Sequence, residues 1–172
     1  MKLNALIKKS KNQLIKRQVM PFDKVKKILI MWDSNQSKTD TDELKTFGHE
    51  LTKANKEVTF LVFYPLSKLK PDMLSNDMYQ LICKGDFNLF GAPKTKALKE
   101  VLNVKYDLLI NACLTPNQHL DTIAVYSSAS FRIGPYTSND NTNLYEISIK
   151  PNGADLCENY LIEIGNCLNK II

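Results

Sequence analysis

The chain has 172 residues, of which 44% are hydrophobic and 24% charged, the balance of an ordinary globular domain. This length fits a single domain, and no apolar run approaches the roughly 20 residues that a membrane-spanning helix needs. Because lysines interrupt the apolar residues of the N-terminus, we expect no signal peptide and a cytoplasmic protein of bacterial type.

The positive charge is concentrated at the N-terminus. Residues 1–30 carry nine basic groups and one acid, whereas the remaining 142 residues have a net charge of −3. Only two of the 23 basic residues are arginine, whose planar fork suits phosphate and base recognition. The scarcity of arginine therefore argues against nucleic acid as a partner.

Neither the cysteines nor the histidines are spaced as metal ligands. The four cysteines include no CxxC pair, and His49 and His119 are the only histidines. Cys157 and Cys167 fall on the apolar face of a predicted helix, where cysteine acts as a small hydrophobic residue. The sequence therefore predicts no metal site and no tightly bound cofactor.

Residues 2–18 are predicted to form a basic amphipathic helix, with leucines and Ile7 on one stripe and most lysines opposite. Burying each apolar side chain contributes roughly 1.5 to 3 kcal/mol, against roughly 1 kcal/mol per lysine at an anionic membrane. We therefore expect residues 1–20 to pack on a domain formed by residues 21–172 or on a second subunit, as in a homodimer. Membrane-surface contact through residues 1–18 is the alternative.

Strands and helices alternate beyond Pro21. Apolar runs predict strands at 26–32 and 57–64, separated by a helix that is capped by Thr39, Asp40 or Thr41. Residues 65–92 mix turn-forming and apolar residues and do not yield a clear assignment.

Within that stretch a short strand is expected at 79–83 or at 87–90. Pro93 then opens a helix that runs through Leu102. Further strands are predicted at 106–112, 130–135 and 144–149, with a helix between the first two that ends near Ser127.

The last helix, 155–172, has an apolar stripe roughly 160° wide, to which Ile162 is the one apolar exception. The alternation predicts an α/β fold: a single three-layer Rossmann-like domain with a mostly parallel sheet. To this domain are added the basic N-terminal helix and the long amphipathic C-terminal helix.

In such sheets ligands bind beyond the carboxyl ends of the strands, at the point where strand order reverses. Polar side chains that follow the predicted strands should converge there. The candidate ligand-binding residues are Asp33, Ser34, Asn35, Asn111, Thr115, His119, Arg132 and Tyr136.

Two of these residues carry groups suited to acid–base catalysis. Asp33 could act as a general base or accept from a ligand hydroxyl, and His119 could act as a general acid–base. The sequence favours plainer roles: a loop carboxylate that accepts backbone N–H groups, and a surface or capping histidine. Arg132 could hold an anionic ligand, although an ion pair with a neighbouring carboxylate is favoured.

The loop after the first strand, WDSNQSKTDTDEL, contains no glycine, and the chain has neither GxGxxG nor GxxxxGK[ST]. A phosphate at the following helix N-terminus would be repelled by Asp40, Asp42 and Glu43. The loop is therefore expected to recognise something other than a conventional nucleotide.

The stretch YDLLINACLTPNQHLDTIAVYSSASFRIGPY, residues 106–136, resembles the N-terminal half of heptosyltransferase-type glycosyltransferases. In those enzymes a strand of the form fDlvId is followed by a helix and a short akrriG strand. KKILIMW and EVTFLVFYP are similar, more loosely, to their first βαβ unit. With WDSN and DFNLFG, the chain also resembles an uncharacterised family of short bacterial proteins, a domain of unknown function.

The transferases open their first helix with a glycine–aspartate pair whose aspartate serves as base. Here SKTDTDEL stands at that place, with Asp40 or Asp42 as the nearest equivalent and no glycine. They also need a second Rossmann-like domain for the nucleotide sugar, for which 172 residues are expected to leave no room. The resemblance implies their fold and argues against their full activity.

Three functional hypotheses follow. The leading one is a non-catalytic or accessory protein that binds a small molecule or a protein partner. The alternative is a small enzyme, like half of a glycosyltransferase, that acts on a sugar-like or anionic metabolite at the rim formed by Asp33, Asn111 and His119. The third is a membrane- or nucleic-acid-associated protein that uses its basic N-terminus.

Overall fold

The computed structural model describes residues 16–136, 144–150 and 156–171, together with Ala5 and Lys8. The strands are β1 (Lys27–Asp33), β2 (Glu57–Tyr64), β3 (Tyr79–Cys83), β4 (Leu108–Asn111), β5 (Phe131–Pro135) and β6 (Ile147–Ile149). The α-helices are α1 (Lys38–Lys53), α2 (Lys96–Asn103), α3 (Gln118–Tyr126) and α4 (Leu156–Lys170). Short 3-10 turns occupy Phe22–Lys24 and Lys84–Asp86.

The six strands form one sheet in the order β3-β2-β1-β4-β5-β6, and all neighbours are parallel. The sheet is buried between two helical layers, as the near-continuous apolar strands require. Residues of one strand alternate between the layers: Leu29 and Met31 face α2 and α3, whereas Ile28, Ile30 and Trp32 face α1 and α4. The predicted three-layer Rossmann-like α/β fold is confirmed.

Helix α1 lies very close to the sheet at Gly48. A Cβ atom at this position would lie 2.2 Å from the ring of Phe60 on β2, so only glycine fits there. Phe60 also contacts Trp32 and stacks on Tyr79, with ring centroids 5.4 and 4.8 Å away. This close approach fixes the height of α1 above β1 and β2.

Several predicted boundaries need correction. The short strand is at 79–83, whereas 87–90 forms a turn closed by a single bridge between Phe87 and Pro93. The helix predicted from Pro93 begins at Lys96, because the Thr95 hydroxyl accepts from the Leu98 N–H and caps it. Likewise Ser37, not residues 39–41, caps α1 by accepting from the Asp40 N–H at 3.0 Å.

The ends of other elements also differ from expectation. β6 covers only the last three residues of the predicted 144–149 strand. Residues 16–20 are not helical, so the helix predicted over 2–18 ends earlier. Ala5 and Lys8 are helical, and the rest of that prediction lies outside the described residues.

The segment before β1 is attached to the domain by named contacts. The Gln18 N–H donates to Ser130 O at 2.9 Å. The Lys56 ammonium donates to Phe22 O at 2.9 Å and Val25 O at 2.7 Å, and lies 4.5 Å from the Phe22 ring centroid. Within the described part of the chain, no helix is both long and apolar enough to cross a membrane.

Candidate functional site

The sheet has its topological switch point between β1 and β4. From β1 the chain continues to β2 and β3 on one side, and from β4 to β5 and β6 on the other. The loops after β1 and β4 therefore flank the crevice in which α/β proteins of this order bind ligands. Asp33 is the last residue of β1, Ser34 and Asn35 lie in the loop after it, and Thr115 and Asn117 lie in the loop after β4.

Hydrogen bonds between the two loops bridge this crevice. The side-chain amide of Asn117 donates to Asp33 Oδ2 at 2.6 Å, and Asp33 Oδ1 accepts from the Asn35 N–H at 2.8 Å. Gln36 Nε2 donates to Ala112 O at 3.2 Å. Both oxygens of the Asp33 carboxylate thus have donors from the chain itself.

His119 lies in the first turn of α3, where Asn117 Oδ1 accepts from its backbone N–H at 3.0 Å. Its half-buried ring stacks on Phe63 and contacts the edge of Phe87, with centroids 4.6 and 4.8 Å away. Burial lowers the pKa of His119, Lys84 lowers it further, and Asp33 partly opposes both. The lowered pKa favours the neutral form of the ring, which lies between two aromatic side chains and not on an open surface.

Asn111, at the end of β4, is part of a buried polar network. Its side-chain amide donates to the Tyr145 hydroxyl at 2.6 Å, and Tyr145 donates to Asp121 Oδ1 at 3.1 Å. Its backbone carbonyl accepts from the Tyr160 hydroxyl at 2.9 Å. Burial raises the pKa of Asp121 to about 6, although the Tyr145 hydrogen bond lowers it. Asn111, which is 3% exposed, therefore connects α3, α4 and the segment that leads into β6.

Cys113 is the thiol nearest the switch point. Its Sγ donates to Thr115 O at 3.2 Å, and burial raises the pKa of the thiol, with the Asp33 charge adding to the effect. A thiol that is kept protonated is a poor nucleophile. Thr115 itself is exposed and serves this contact through its carbonyl.

Arg132 lies on β5 with 3% of its surface exposed. Its Nε and Nη2 donate to the two carboxylate oxygens of Glu146, at 3.0 and 2.7 Å, and Nη1 donates to Ala124 O at 2.9 Å. The ion pair that the sequence favoured is therefore present. Tyr136, which follows β5, is exposed, and its N–H donates to Ile149 O at 2.8 Å.

The only two arginines of the chain meet at the C-terminal end of α3. Beside Arg132, the Arg17 guanidinium donates to the carbonyls of Ser127, at 2.9 Å, and of Ala129. Burial and, second, the positive charge of Arg132 lower the pKa of Arg17 to about 10. The negative charge of Glu146 partly opposes these two effects. Cations at a helix C-terminus stabilise the helix dipole, which gives both arginines a structural role.

A groove of about 630 Å³ lies between α1 and α4, the two helices that cover the face of the sheet opposite α2 and α3. Its apolar lining consists of Phe47, Leu161, Ile162 and Gly165, and Ile162 is 51% exposed. The rest of its lining is polar or acidic: Thr39, Asp42, Glu43, Thr46, Glu50 and Glu158. The sequence-based candidates did not include this groove. Ile162, an apolar residue outside the apolar stripe of the last helix, is the sequence feature from which the groove could have been predicted.

Near the N-terminal ends of α1 and α4, Asp40, Glu43 and Cys157 each bring one ligand atom within 4.8 Å of the others. Structural zinc sites use four such donors. The Cys157 thiol lies 3.8 Å from the Asp40 carbonyl, to which it donates. Three donors of mixed type do not make a closed metal centre.

The fold and these contacts define a Rossmann-like α/β domain whose switch point is bridged by its own side chains. The chain belongs to DUF6913, a family of unknown function, whose profile matches residues 2–164. A search of curated proteins found no match. Membership of a family of unknown function is thus confirmed, whereas the resemblance to heptosyltransferases stays a prediction.

Proposed function

We propose that this protein is a non-catalytic binding module that holds a cationic amphipathic helix of a protein partner in the groove between α1 and α4. One observation carries the proposal: the groove is lined by apolar residues and by four carboxylates. An exposed apolar surface with a polar rim is typical of interaction sites.

The shape of the groove suits a helix. Helices α1 and α4 have 16 and 15 residues, so each is about 22 to 24 Å long. The groove between them has an exposed isoleucine in its lining. A partner helix with leucines at positions i, i+3, i+4 and i+7 would lay its apolar face on the apolar part of that lining.

The negative charge of the groove lining favours a positively charged partner. Asp42, Glu43, Glu50 and Glu158 line the groove, and none of the described residues that line it is a lysine or arginine. Lys45 forms an ion pair with Asp42 at 3.8 Å, but both side chains are well exposed, so water screens this contact. Lysines flanking the apolar face of a partner helix would therefore meet carboxylates on both sides.

The switch point is a weaker candidate for a ligand site. A ligand that used Asp33 would have to displace the Asn117 amide or the Asn35 N–H, and Arg132 is already paired with Glu146. Breaking these hydrogen bonds costs free energy that new contacts must first recover.

The test is a fluorescence anisotropy titration with a labelled synthetic helix of leucines and lysines in that spacing. We expect Glu50→Lys and Glu158→Lys each to weaken binding by about fivefold or more, with less effect at high salt. Glu100→Lys is the matched control, because Glu100 is an exposed carboxylate on α2, in the other helical layer.

Gly165 allows a second test that leaves the charge unchanged. Apart from the adjacent residues and the helix's own backbone, no atom of the described residues lies within 4 Å of the position that a Cβ would take there, so a larger side chain fills the groove and not the core. Gly165→Leu should weaken binding of the peptide, whereas Gly165→Ala should not. Unchanged binding by Gly165→Leu together with both charge reversals would contradict the proposal.

The second candidate is the small glycosyltransferase-like enzyme. Asn117 connects Asp33 to the first turn that carries His119, and the Asp33 charge acts on the pKa of His119. Release of free nucleotide from a panel of nucleotide sugars, lost in Asp33→Ala, would support it; absence of turnover would argue against it.

The cytoplasmic, bacterial setting that the sequence suggests stays a prediction.

A further inference from the structure

A second contact surface lies at the tip of the turn that follows β3. Leu89 is 103% exposed and Phe90 79% exposed, so neither side chain packs on the described part of the domain. Two adjacent large apolar side chains in that state are unusual for a globular surface. We propose that this turn inserts Leu89 and Phe90 into the interface of an anionic lipid membrane.

The turn is held rigid by its own hydrogen bonds. The side-chain oxygen of Asn88 accepts from the N–H groups of Phe90, at 2.9 Å, and Ala92, at 3.0 Å. The Gly91 N–H donates to Asn88 O at 2.8 Å, and Gly91 has a φ of 77°, a conformation that glycine adopts without strain. The tip is therefore built in one shape, so little conformational entropy remains to be lost on insertion.

The base of the turn is anchored in the domain. Phe87 is 7% exposed and packs on Phe63 and His119. Asp86 accepts from the Thr95 hydroxyl at 2.7 Å and from the Cys83 N–H at 2.8 Å. Exposure of Leu89 and Phe90 is thus a property of an ordered turn whose neighbour in sequence, Phe87, is buried.

Exposed lysines precede and follow the turn in the sequence. Lys84 and Lys94 are exposed on either side of the turn, and neither forms an ion pair with the described residues. Lys96 follows, paired with Glu100 at 3.6 Å between two largely exposed side chains. An apolar tip flanked by exposed lysines matches the layers of an anionic membrane, acyl chains beneath negatively charged headgroups.

The same residues fit a protein pocket less well. Lysine is depleted at the centres of protein interfaces, and interface hot spots are enriched in tryptophan, tyrosine and arginine, with leucine under-represented. Of the exposed residues of the turn and its flanks, only Phe90 is of a type enriched at protein interfaces; the others include Leu89 and the lysines.

The test uses the full chain and vesicles of phosphatidylcholine with about one third phosphatidylserine, with pure phosphatidylcholine vesicles for comparison. Co-sedimentation should require the anionic lipid. Replacing Leu89→Ser and Phe90→Ser together should lower partitioning by about tenfold or more. Leu74→Ser is the matched control, because Leu74 is 76% exposed on the segment leading into β3.

Two further variants separate the contributions. Lys84→Gln with Lys94→Gln should weaken binding and reduce its salt dependence. Lys8→Gln with Lys9→Gln and Lys11→Gln should leave the contribution of the turn intact. Since the altered side chains of the turn are exposed, the turn variants should unfold at the temperature of the parent chain.

Tryptophan fluorescence tests directly whether the tip of the turn enters the membrane. Trp32 is the single tryptophan and is 1% exposed, so its emission should not respond to lipid. In Phe90→Trp the added emission should shift to the blue on binding and be quenched by brominated lipid. The proposal is overturned if the emission is unchanged, if the double serine variant binds as well as the parent, or if only the N-terminal lysine replacements abolish binding.

Discussion

Asn117 and Asp33, 84 residues apart in sequence, are joined by a 2.6 Å hydrogen bond across the switch point of the sheet. The same Asn117 caps α3, since its side-chain oxygen accepts from the N–H groups of His119 and Leu120 at 3.0 and 3.3 Å. One side chain therefore both starts a helix and closes the crevice next to it.

Substitution of Asn117 can separate these two roles. Asn117→Ser keeps a capping hydroxyl but is too short to reach Asp33, whereas Asn117→Ala loses both contacts. We expect Asn117→Ala to lower the free energy of unfolding by about 1 to 2 kcal/mol, and Asn117→Ser by less. Urea denaturation measures both. If Asn117→Ser is as stable as the parent, the bridge to Asp33 contributes nothing to stability.

The Arg132–Glu146 pair should contribute far more than a surface pair. Glu146→Gln leaves a guanidinium that is 3% exposed without its charged partner, and we expect a loss of about 3 to 5 kcal/mol. The exposed pair of Lys27 and Glu57, at 3.3 Å, is the comparison, and Glu57→Gln should cost no more than about 1 kcal/mol. Equal losses for the two variants, measured by urea denaturation, would contradict the structural role of Arg132.

Asp121 should make stability depend on pH. Its pKa is raised from 3.8 to about 6, so the folded chain binds its proton more tightly than the unfolded chain. The resulting stabilisation is fully present below about pH 4 and is lost as the pH rises through 6, about 2 to 3 kcal/mol in all.

Asp121→Asn removes this titration and retains an oxygen that accepts from Tyr145. The difference in unfolding free energy between the variant and the parent should therefore grow in favour of the variant from pH 4 to pH 7. Chemical denaturation across this range measures it. A difference that is constant with pH would show that Asp121 titrates alike in both states.

Two glycines at helical positions should respond to alanine with opposite signs. Gly165→Ala adds a methyl group to open space and should raise the free energy of unfolding by about 0.5 to 1 kcal/mol. Gly48→Ala gains the same helix propensity, but its Cβ would overlap the Phe60 ring, so we expect net destabilisation. Thermal unfolding of both variants measures the signs, and two values of the same sign would refute this description of the α1–sheet contact.

Much of the fold followed from local pattern. Apolar runs of strand length and the helical periodicity of α1 and α4 predicted the layers and the parallel sheet, because a chain with these periods has few ways to bury its apolar residues. Boundaries shifted where one side chain decided them, as with the hydroxyls of Ser37 and Thr95 that cap α1 and α2. The turn at 87–90 was ambiguous because it contains three apolar residues, as a short strand would, although only Phe87 is buried.

The candidate site depended on contacts between residues distant in sequence. The sequence by itself placed Asp33, Asn111 and His119 at the carboxyl edge, since strand ends are local features. Only the tertiary structure decided that Asp33 pairs with Asn117, Asn111 with Tyr145 and Arg132 with Glu146, and that Ile162 opens on a groove. Hydrogen-bond and ion-pair partners are set by strand order and register, which no single stretch of the chain contains.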